Sequence, residues 1–92
     1  MALTREEILD ALERHAHRRE RARLRQCREL IDDATDLQLH LGLSSFLFLD
    51  MATWLGQRIG RRLTAEDLTM EDLNSIGGML RLAARFQPDS TG

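Results

Sequence analysis

The apolar positions at the start of the chain recur with a helical spacing. Residues four positions apart mark one face of a helix: Ile8, Leu12 and Ala16. Thr4 and Glu7 have the spacing of a capping box, in which each side chain accepts a hydrogen bond from the other residue's backbone N–H. No helix breaker follows, so the pattern predicts one long first helix, or two helices with a kink, ending near Ile31.

A polar break over residues 32–36 precedes a different pattern. Leucines then occupy every second position: Leu37, Leu39, Leu41 and Leu43. Such alternation is typical of a strand, but a lone strand has nothing to pair with in this chain. We therefore expect a long structured loop that places its leucines in the core, with Gly42 near its end.

The next helix has clear end signals. Ser44 is a favourable N-cap, and the helix is expected to run to about Ile59, where Gly60 can end it. Its first half is apolar in nearly every direction: Phe46, Leu47, Phe48, Leu49, Met51, Trp54 and Leu55. A helix that is apolar all round is normally buried.

The C-terminal third predicts a short helical turn over residues 63–68 and then a last helix that runs to about Phe86. Gly77 and Gly78 interrupt that helix, and each glycine costs about 1 kcal/mol of stability relative to alanine. Close helix packing, or room beside a ligand, would justify this cost. A partly frayed helix is the alternative.

The order of elements predicts an all-α fold, a four-helix bundle with a long first helix, a long structured loop and a short third helix. We expect one domain over residues 1–87 and a flexible tail over residues 88–92. No apolar run approaches the length of a membrane span, and the charged first helix leads us to expect no signal peptide. Cys27 is the only cysteine, which excludes an intramolecular disulfide and fits a cytoplasmic location.

Charge is distributed unevenly although the net charge is only −2. Residues 14–28 contain seven arginines and one glutamate, whereas residues 29–50 contain five acidic residues and no arginine or lysine. The arginines form either a solvated helix face or an electrostatic dock for an acidic partner or for the acidic loop. Nucleic-acid binding is not expected, because the remainder is acid-rich and no binding motif is present. His15 and His17 point away from each other on a helix, so no metal site is expected.

Two segments carry a family resemblance. Asp36–Phe46, with the sequence DLQLHLGLSSF, resembles the signature of free-standing bacterial acyl and peptidyl carrier proteins, in which Asp-Leu and Leu-Gly-Leu precede Asp-Ser-Leu. Ser45 falls on the modified serine of that signature. Ala65–Ile76, with the sequence AEDLTMEDLNSI, resembles the junction between the third and fourth helices of these carriers. The resemblance covers about residues 30–86.

The resemblance implies a carrier and not an enzyme. A phosphopantetheinyl transferase would attach 4'-phosphopantetheine to Ser45, and the thiol of this arm would hold an acyl or aminoacyl group as a thioester for loading and acceptor enzymes. Gly42, Leu43 and Ser44 would lie beside the arm. Partner enzymes would read residues along the second helix: Phe46, Leu47, Phe48, Asp50, Met51 and Trp54.

One departure from the signature concerns the serine itself. Ser44 stands where the family has an aspartate, which preserves a helix cap but removes a carboxylate. Two adjacent serines also leave the register open, and the spacing from Gly42 favours Ser45 over Ser44 as the attachment site.

A second departure is the apolar character of the second helix. Its side chains are either core residues or a patch that docks a partner or a second copy of the chain, and in the latter case Leu47, Phe48 and Trp54 are expected to be exposed. An alternative function follows, that of a carrier-fold interaction protein that is not phosphopantetheinylated and acts by docking this helix. Such a patch would also allow a homodimer. We expect no membrane partner.

Overall fold

The computed structural model describes residues 2–64 and 66–86. Within these ranges the chain is helical and contains no strand, which confirms the predicted all-α fold. The helices in chain order are α1 (Arg5–His15), α2 (Arg18–Cys27), a 3-10 turn (Arg28–Leu30), α3 (Leu37–Leu41), α4 (Ser45–Ile59), α5 (Met70–Leu73) and α6 (Ile76–Phe86). The predicted tail, residues 88–92, lies outside the described residues. None of the described helices is long and apolar enough to span a bilayer.

Every α-helix contributes to a common apolar core. α1 packs against α2, α4 and α6, and α4 also packs against α5 and α6. The largest buried apolar side chains are Ile8, Leu12, Leu24, Leu37, Phe48, Met51, Leu55, Leu73, Ile76, Met79 and Leu82. Full burial of one such side chain stabilises a fold by roughly 1.5–3 kcal/mol, so apolar contact between the helices is the main source of stability.

The first helical region consists of two helices. Ala16 and His17 have extended backbone angles and separate α1 from α2. Arg28 donates to carboxylates along α1, those of Glu6, Asp10 and Glu13. In one straight helix residues 6 and 28 would be about 33 Å apart, so α2 folds back along α1. One long first helix is therefore wrong, and the two-helix alternative is confirmed, with a chain reversal in place of a kink.

Contacts between the two helices hold this reversal. Arg21 donates through Nε to the carbonyl of Glu13 at 2.8 Å and through Nη2 to the carbonyl of Ala16 at 3.0 Å. These carbonyls belong to the C-terminal end of α1, where helix carbonyls lack internal partners. The side chain of one helix thus completes the hydrogen bonds of the other.

The predicted leucine loop contains a short helix, α3. The Asp36 side chain caps it by accepting from the Leu39 N–H at 2.9 Å. Leu37 and Leu41 lie one helical turn apart and are buried, whereas Leu39 is 77% exposed. The expectation that alternate leucines all enter the core is therefore wrong for Leu39. The inward side chains follow the helical period of four instead of the strand period of two.

The last predicted helix is interrupted. A capping box between Thr69 and Asp72 begins α5, as the sequence indicates, but α5 ends at Leu73 and α6 begins at Ile76. Asn74 at the break bonds to the α3 region, since its carbonyl accepts from the Leu37 N–H at 2.9 Å. The short helix of the bundle is thus residues 70–73. The earlier segment at 63–68 forms a turn at residues 66–67 and no helix, and Ala65 lies outside the described residues.

Gly77 and Gly78 allow close backbone contacts at the start of α6. Both residues are buried, and the Gly77 N–H donates to the carbonyl of Asp33 at 2.9 Å. A Cβ on Gly77 would lie 2.9 Å from that carbonyl oxygen, and one on Gly78 would collide with the carbonyl of Asp72. Close packing, and not a frayed helix, therefore explains the glycine pair.

We predict that Gly78→Ala destabilises the protein although alanine favours helix. The propensity gain is about 1 kcal/mol, whereas overpacking against a fixed carbonyl costs about 1–3 kcal/mol. Chemical denaturation should therefore show a net loss of up to about 2 kcal/mol in the free energy of unfolding. Ala84→Gly, at an exposed position of the same helix, measures propensity alone. A more stable Gly78→Ala variant would contradict the close packing.

Candidate functional site

Ser45 is the first residue of α4 and its side chain is exposed. Ser44 caps the helix, because its hydroxyl accepts from the Leu47 N–H at 3.3 Å. Within residues 2–64 and 66–86, the Ser45 hydroxyl and the N–H groups of Ser45 and Phe46 have no hydrogen-bond partner. Free N–H groups and the positive end of a helix dipole favour an anion, so this position suits a phosphate ester on the serine.

The segment that leads to Ser45 is fixed at both ends. Gly42 ends α3 with φ +64°, a left-handed conformation that glycine adopts without strain, and its N–H donates to the carbonyl of Gln38 at 2.9 Å. Leu43 is buried at 4% exposure. The predicted site residues Gly42, Leu43, Ser44 and Ser45 therefore form one anchored segment at the start of α4.

A buried carboxylate, that of Glu20 in α2, holds this segment in place. Glu20 is 2% exposed. Its Oε2 accepts from the Ser44 N–H at 2.6 Å, and its Oε1 accepts from the His17 N–H at 3.2 Å. The ring of His17 lies on the same carboxylate, with Nε2 3.4 Å from Oε1. One side chain thus joins the start of α2 to the start of α4.

The same contacts determine the pKa of Glu20. Burial alone would raise this pKa, but the hydrogen bonds from Ser44 and from the His17 backbone outweigh burial and hold it below its ordinary value. Glu20 is therefore charged in the folded protein at neutral pH.

An arginine lies against the other end of the segment. Nη1 of Arg23 is 2.8 Å from the position that a Cβ on Gly42 would occupy, and the guanidinium carbon is 3.7 Å from it. Arg23 is exposed and follows Glu20 by three residues, so both side chains project from the same part of α2. α2 therefore contacts the residues before Ser45 with one acidic and one basic side chain.

The arginines of α2 and of the 3-10 turn that follows it divide into two groups. Arg25 and Arg28 form ion pairs with Glu13 of α1, at 2.9 Å for Arg25, and Arg21 bonds to α1 carbonyls. In the described ranges Arg18, Arg19 and Arg23 have no side-chain hydrogen bond or ion pair. The paired members of the arginine run therefore contact the preceding helix and not the acidic loop, and among the unpaired members Arg23 lies beside the site.

Three of the predicted partner-contacting residues are core residues. Leu47, Phe48 and Met51 are 2%, 0% and 0% exposed. The expectation that Leu47 and Phe48 are exposed is wrong, and Met51 has no surface to offer a partner. This face of α4 is covered by α1 and α6.

The opposite face of α4 carries the exposed apolar surface. Phe46 is 79% exposed and Leu49 is 60% exposed, and Asp50 is also exposed. Trp54 is partly buried, so the expectation of an exposed tryptophan holds only in part. Beyond Leu49, an open and mainly apolar groove of about 830 Å³ follows α4 to Leu68.

The anchored serine at the start of a long helix, within an all-helical bundle, defines a carrier-type domain. A family model described as "Phosphopantetheine attachment site" matches residues 23–83, well over half of the chain. The chain belongs to this family. Its members are carriers, with no catalytic activity of their own, that hold 4'-phosphopantetheine covalently on a serine. Comparisons with curated proteins and with solved structures give no match.

Glu20 and Arg23 are site residues that the sequence does not reveal. Glu20 is conspicuous only as the one acid within the arginine run, and its partner Ser44 is 24 residues away. Leu49 is also absent from the predicted partner surface, because an all-apolar helix gives no sign of which face is covered.

We predict that Glu20→Ala lowers the free energy of unfolding by about 2 kcal/mol. The change leaves the N–H groups of Ser44 and His17 without their acceptor in a partly buried place, and it removes packed volume. Urea denaturation measures the loss. Glu29→Ala, at an exposed position in the 3-10 turn, is the matched control and should change stability by less than about 0.5 kcal/mol. Equal effects would contradict the role of Glu20.

The pKa of Glu20 also predicts a difference in acid sensitivity. Because the folded-state pKa is lowered, the stability due to the carboxylate is present above the unfolded-state pKa of about 4.3 and is lost as pH falls through the folded value. We expect Glu20→Gln to be less stable than wild type at pH 7 and to lose less stability between pH 5 and pH 3. Parallel pH profiles of the unfolding midpoint would contradict this prediction.

Proposed function

We propose that this protein carries an acyl or aminoacyl group as a thioester on a phosphopantetheine arm attached to Ser45. The observation that carries the proposal is the exposed hydroxyl of Ser45 at the first position of α4, in a chain of this family. This hydroxyl has no hydrogen-bond partner among the residues that the structure describes. Residues 42–44 support it by anchoring the segment before the serine.

The two adjacent serines differ in a way that favours Ser45. The Ser44 hydroxyl accepts from the Leu47 N–H and its backbone N–H donates to Glu20, so Ser44 has a structural role at the cap. Ser44 is also partly buried, whereas Ser45 is exposed. A transferase needs an accessible hydroxyl, which supports Ser45 as the acceptor.

Attachment follows the chemistry of the family. The Ser45 oxygen attacks the phosphorus of coenzyme A that bears the pantetheine, a new P–O bond forms, and the pyrophosphate bond breaks. Adenosine 3',5'-bisphosphate leaves, and the hydroxyl proton passes to a base of the transferase. The attached arm supplies a thiol that forms the thioester. Loading and acceptor enzymes would approach the exposed Phe46, Leu49 and Asp50. A cytoplasmic location stays a prediction from the sequence.

The exposed apolar residues favour a second candidate function. Phe46 directly follows Ser45 and is 79% exposed, and Leu49 lies one helical turn after Ser45. An unmodified protein that docks a partner, or a second copy of itself, through these two residues would also use this surface. Loss of the family aspartate at Ser44 is consistent with that function.

One experiment separates the two functions. Intact-protein mass is measured after incubation with coenzyme A and a broad-specificity phosphopantetheinyl transferase. We expect wild type and Ser44→Ala to gain the mass of one phosphopantetheine and Ser45→Ala to gain none. Ser44→Ala loses a helix cap worth about 1 kcal/mol, so circular dichroism must first show that it is folded.

Each other outcome has a clear meaning. A mass gain that Ser44→Ala abolishes and Ser45→Ala keeps would move the arm to Ser44. No gain in folded wild type, with this transferase and with one from the source organism, would contradict the arm and favour the docking function.

A further inference from the structure

Arg23 is placed where it can meet an anion on Ser45. Its guanidinium lies against Gly42, with Nη1 2.8 Å from the position of a Cβ on that glycine. Two residues, Leu43 and Ser44, lie between Gly42 and Ser45, so the Cα atoms of Gly42 and Ser45 are at most about 11 Å apart. A phosphate on the Ser45 oxygen stands off from the backbone, and a long exposed arginine side chain spans the remaining gap by changing rotamer.

The charged groups around Arg23 leave it available for this contact. Arg21 and Arg25 of α2 are engaged with α1, whereas Arg23, like Arg18 and Arg19 at the start of the helix, has no side-chain hydrogen bond or ion pair with any described residue. Of these three arginines, Arg23 is the one that lies against Gly42. Glu20, the nearest acid along α2, is already engaged by the N–H groups of Ser44 and His17. The first turn of α4, SFL, has no acid in its sequence, and Asp50 lies more than one turn away.

A guanidinium matches the phosphate chemistry of the arm. It presents several N–H donors in a planar fork, which binds two oxygens of one phosphate at once. The phosphodiester of the arm would also accept from the free N–H groups at the start of α4. These two sets of donors would approach the phosphate from different elements, α2 and α4.

We propose that Arg23 binds the phosphate of the arm on Ser45 and holds the base of the arm against α2. The proposal rests on the proposed function, because it requires the arm on Ser45. Attachment then stabilises the folded protein, since the phosphate adds a contact between α2 and α4 that the unmodified chain lacks.

The test compares unmodified and modified protein for wild type, Arg23→Gln and Arg18→Gln. Arg18 is exposed on α2 and lies about 140° around the helix from Arg23, so its change removes the same charge away from Gly42. Thermal unfolding is measured at low ionic strength, after mass spectrometry confirms complete modification. We expect attachment to raise the unfolding midpoint of wild type and Arg18→Gln by about 3 °C more than that of Arg23→Gln. The ³¹P resonance of the arm should shift only in Arg23→Gln.

The outcomes distinguish this proposal from the proposed function. Equal changes in midpoint and an unshifted ³¹P resonance in all three modified proteins would overturn the Arg23 contact and leave the arm in place. Wild type that gains no mass would overturn the arm, and the contact with it. If Arg23→Gln is not a substrate of the transferase, Arg23→Lys replaces it. Lysine keeps the positive charge but lacks the planar fork of donors, so attachment of the arm should raise the unfolding midpoint of Arg23→Lys less than that of wild type. An equal rise in the midpoint would overturn the proposal.

Discussion

The hydrogen bond from the Ser44 N–H to the buried carboxylate of Glu20 is the constraint on which the site depends. It is short, at 2.6 Å, and it joins α2 to the cap of α4. The same carboxylate accepts from His17, so the start of α2 and the start of α4 share one acceptor. Burying a charged carboxylate is costly unless it is hydrogen-bonded, and here the donors are the N–H groups of His17 and of Ser44, the residue before Ser45. The reversal between α1 and α2 is therefore part of the architecture of the site.

The roles of the arginines in residues 14–28 depend on the three-dimensional fold. The net charge of −2 conceals this run of arginines, and the run by itself resembles a solvated helix face. Folding α2 back along α1 gives Arg25 and Arg28 acidic partners and leaves Arg23 beside Gly42. Positive charge then lies beside Gly42, in the segment that leads to the free N–H groups of α4, and this placement is the basis of the proposed phosphate contact.

Local signals predicted what depends on local chemistry. Ser44 and Gly60 bound α4 as expected, because caps act within a few residues of a helix end. The position of the break at Ala16 could not be predicted, since neither residue 16 nor residue 17 is a helix breaker. The break is held by side chains of α2, those of Glu20 and Arg21. α3 was missed for a related reason. Five residues are too few for a helical period to show, and Asn74 stabilises α3 from a distance.

The neutral cap at Ser44 is consistent with the buried charge beneath it. Carriers that resemble this chain have an aspartate at that position, whereas here both the N–H and the hydroxyl of Ser44 act on Glu20 and lower its pKa. An aspartate in place of Ser44 would add a second carboxylate at the residue whose N–H bonds to Glu20, which is 2% exposed, and nearby like charges disfavour each other in a buried place. Serine caps the helix without that repulsion. Ser44, which departs from the family signature, and Glu20, the acid within the arginine run, therefore form one hydrogen-bonded unit. In this unit α2 supplies the carboxylate and the cap of α4 supplies a donor.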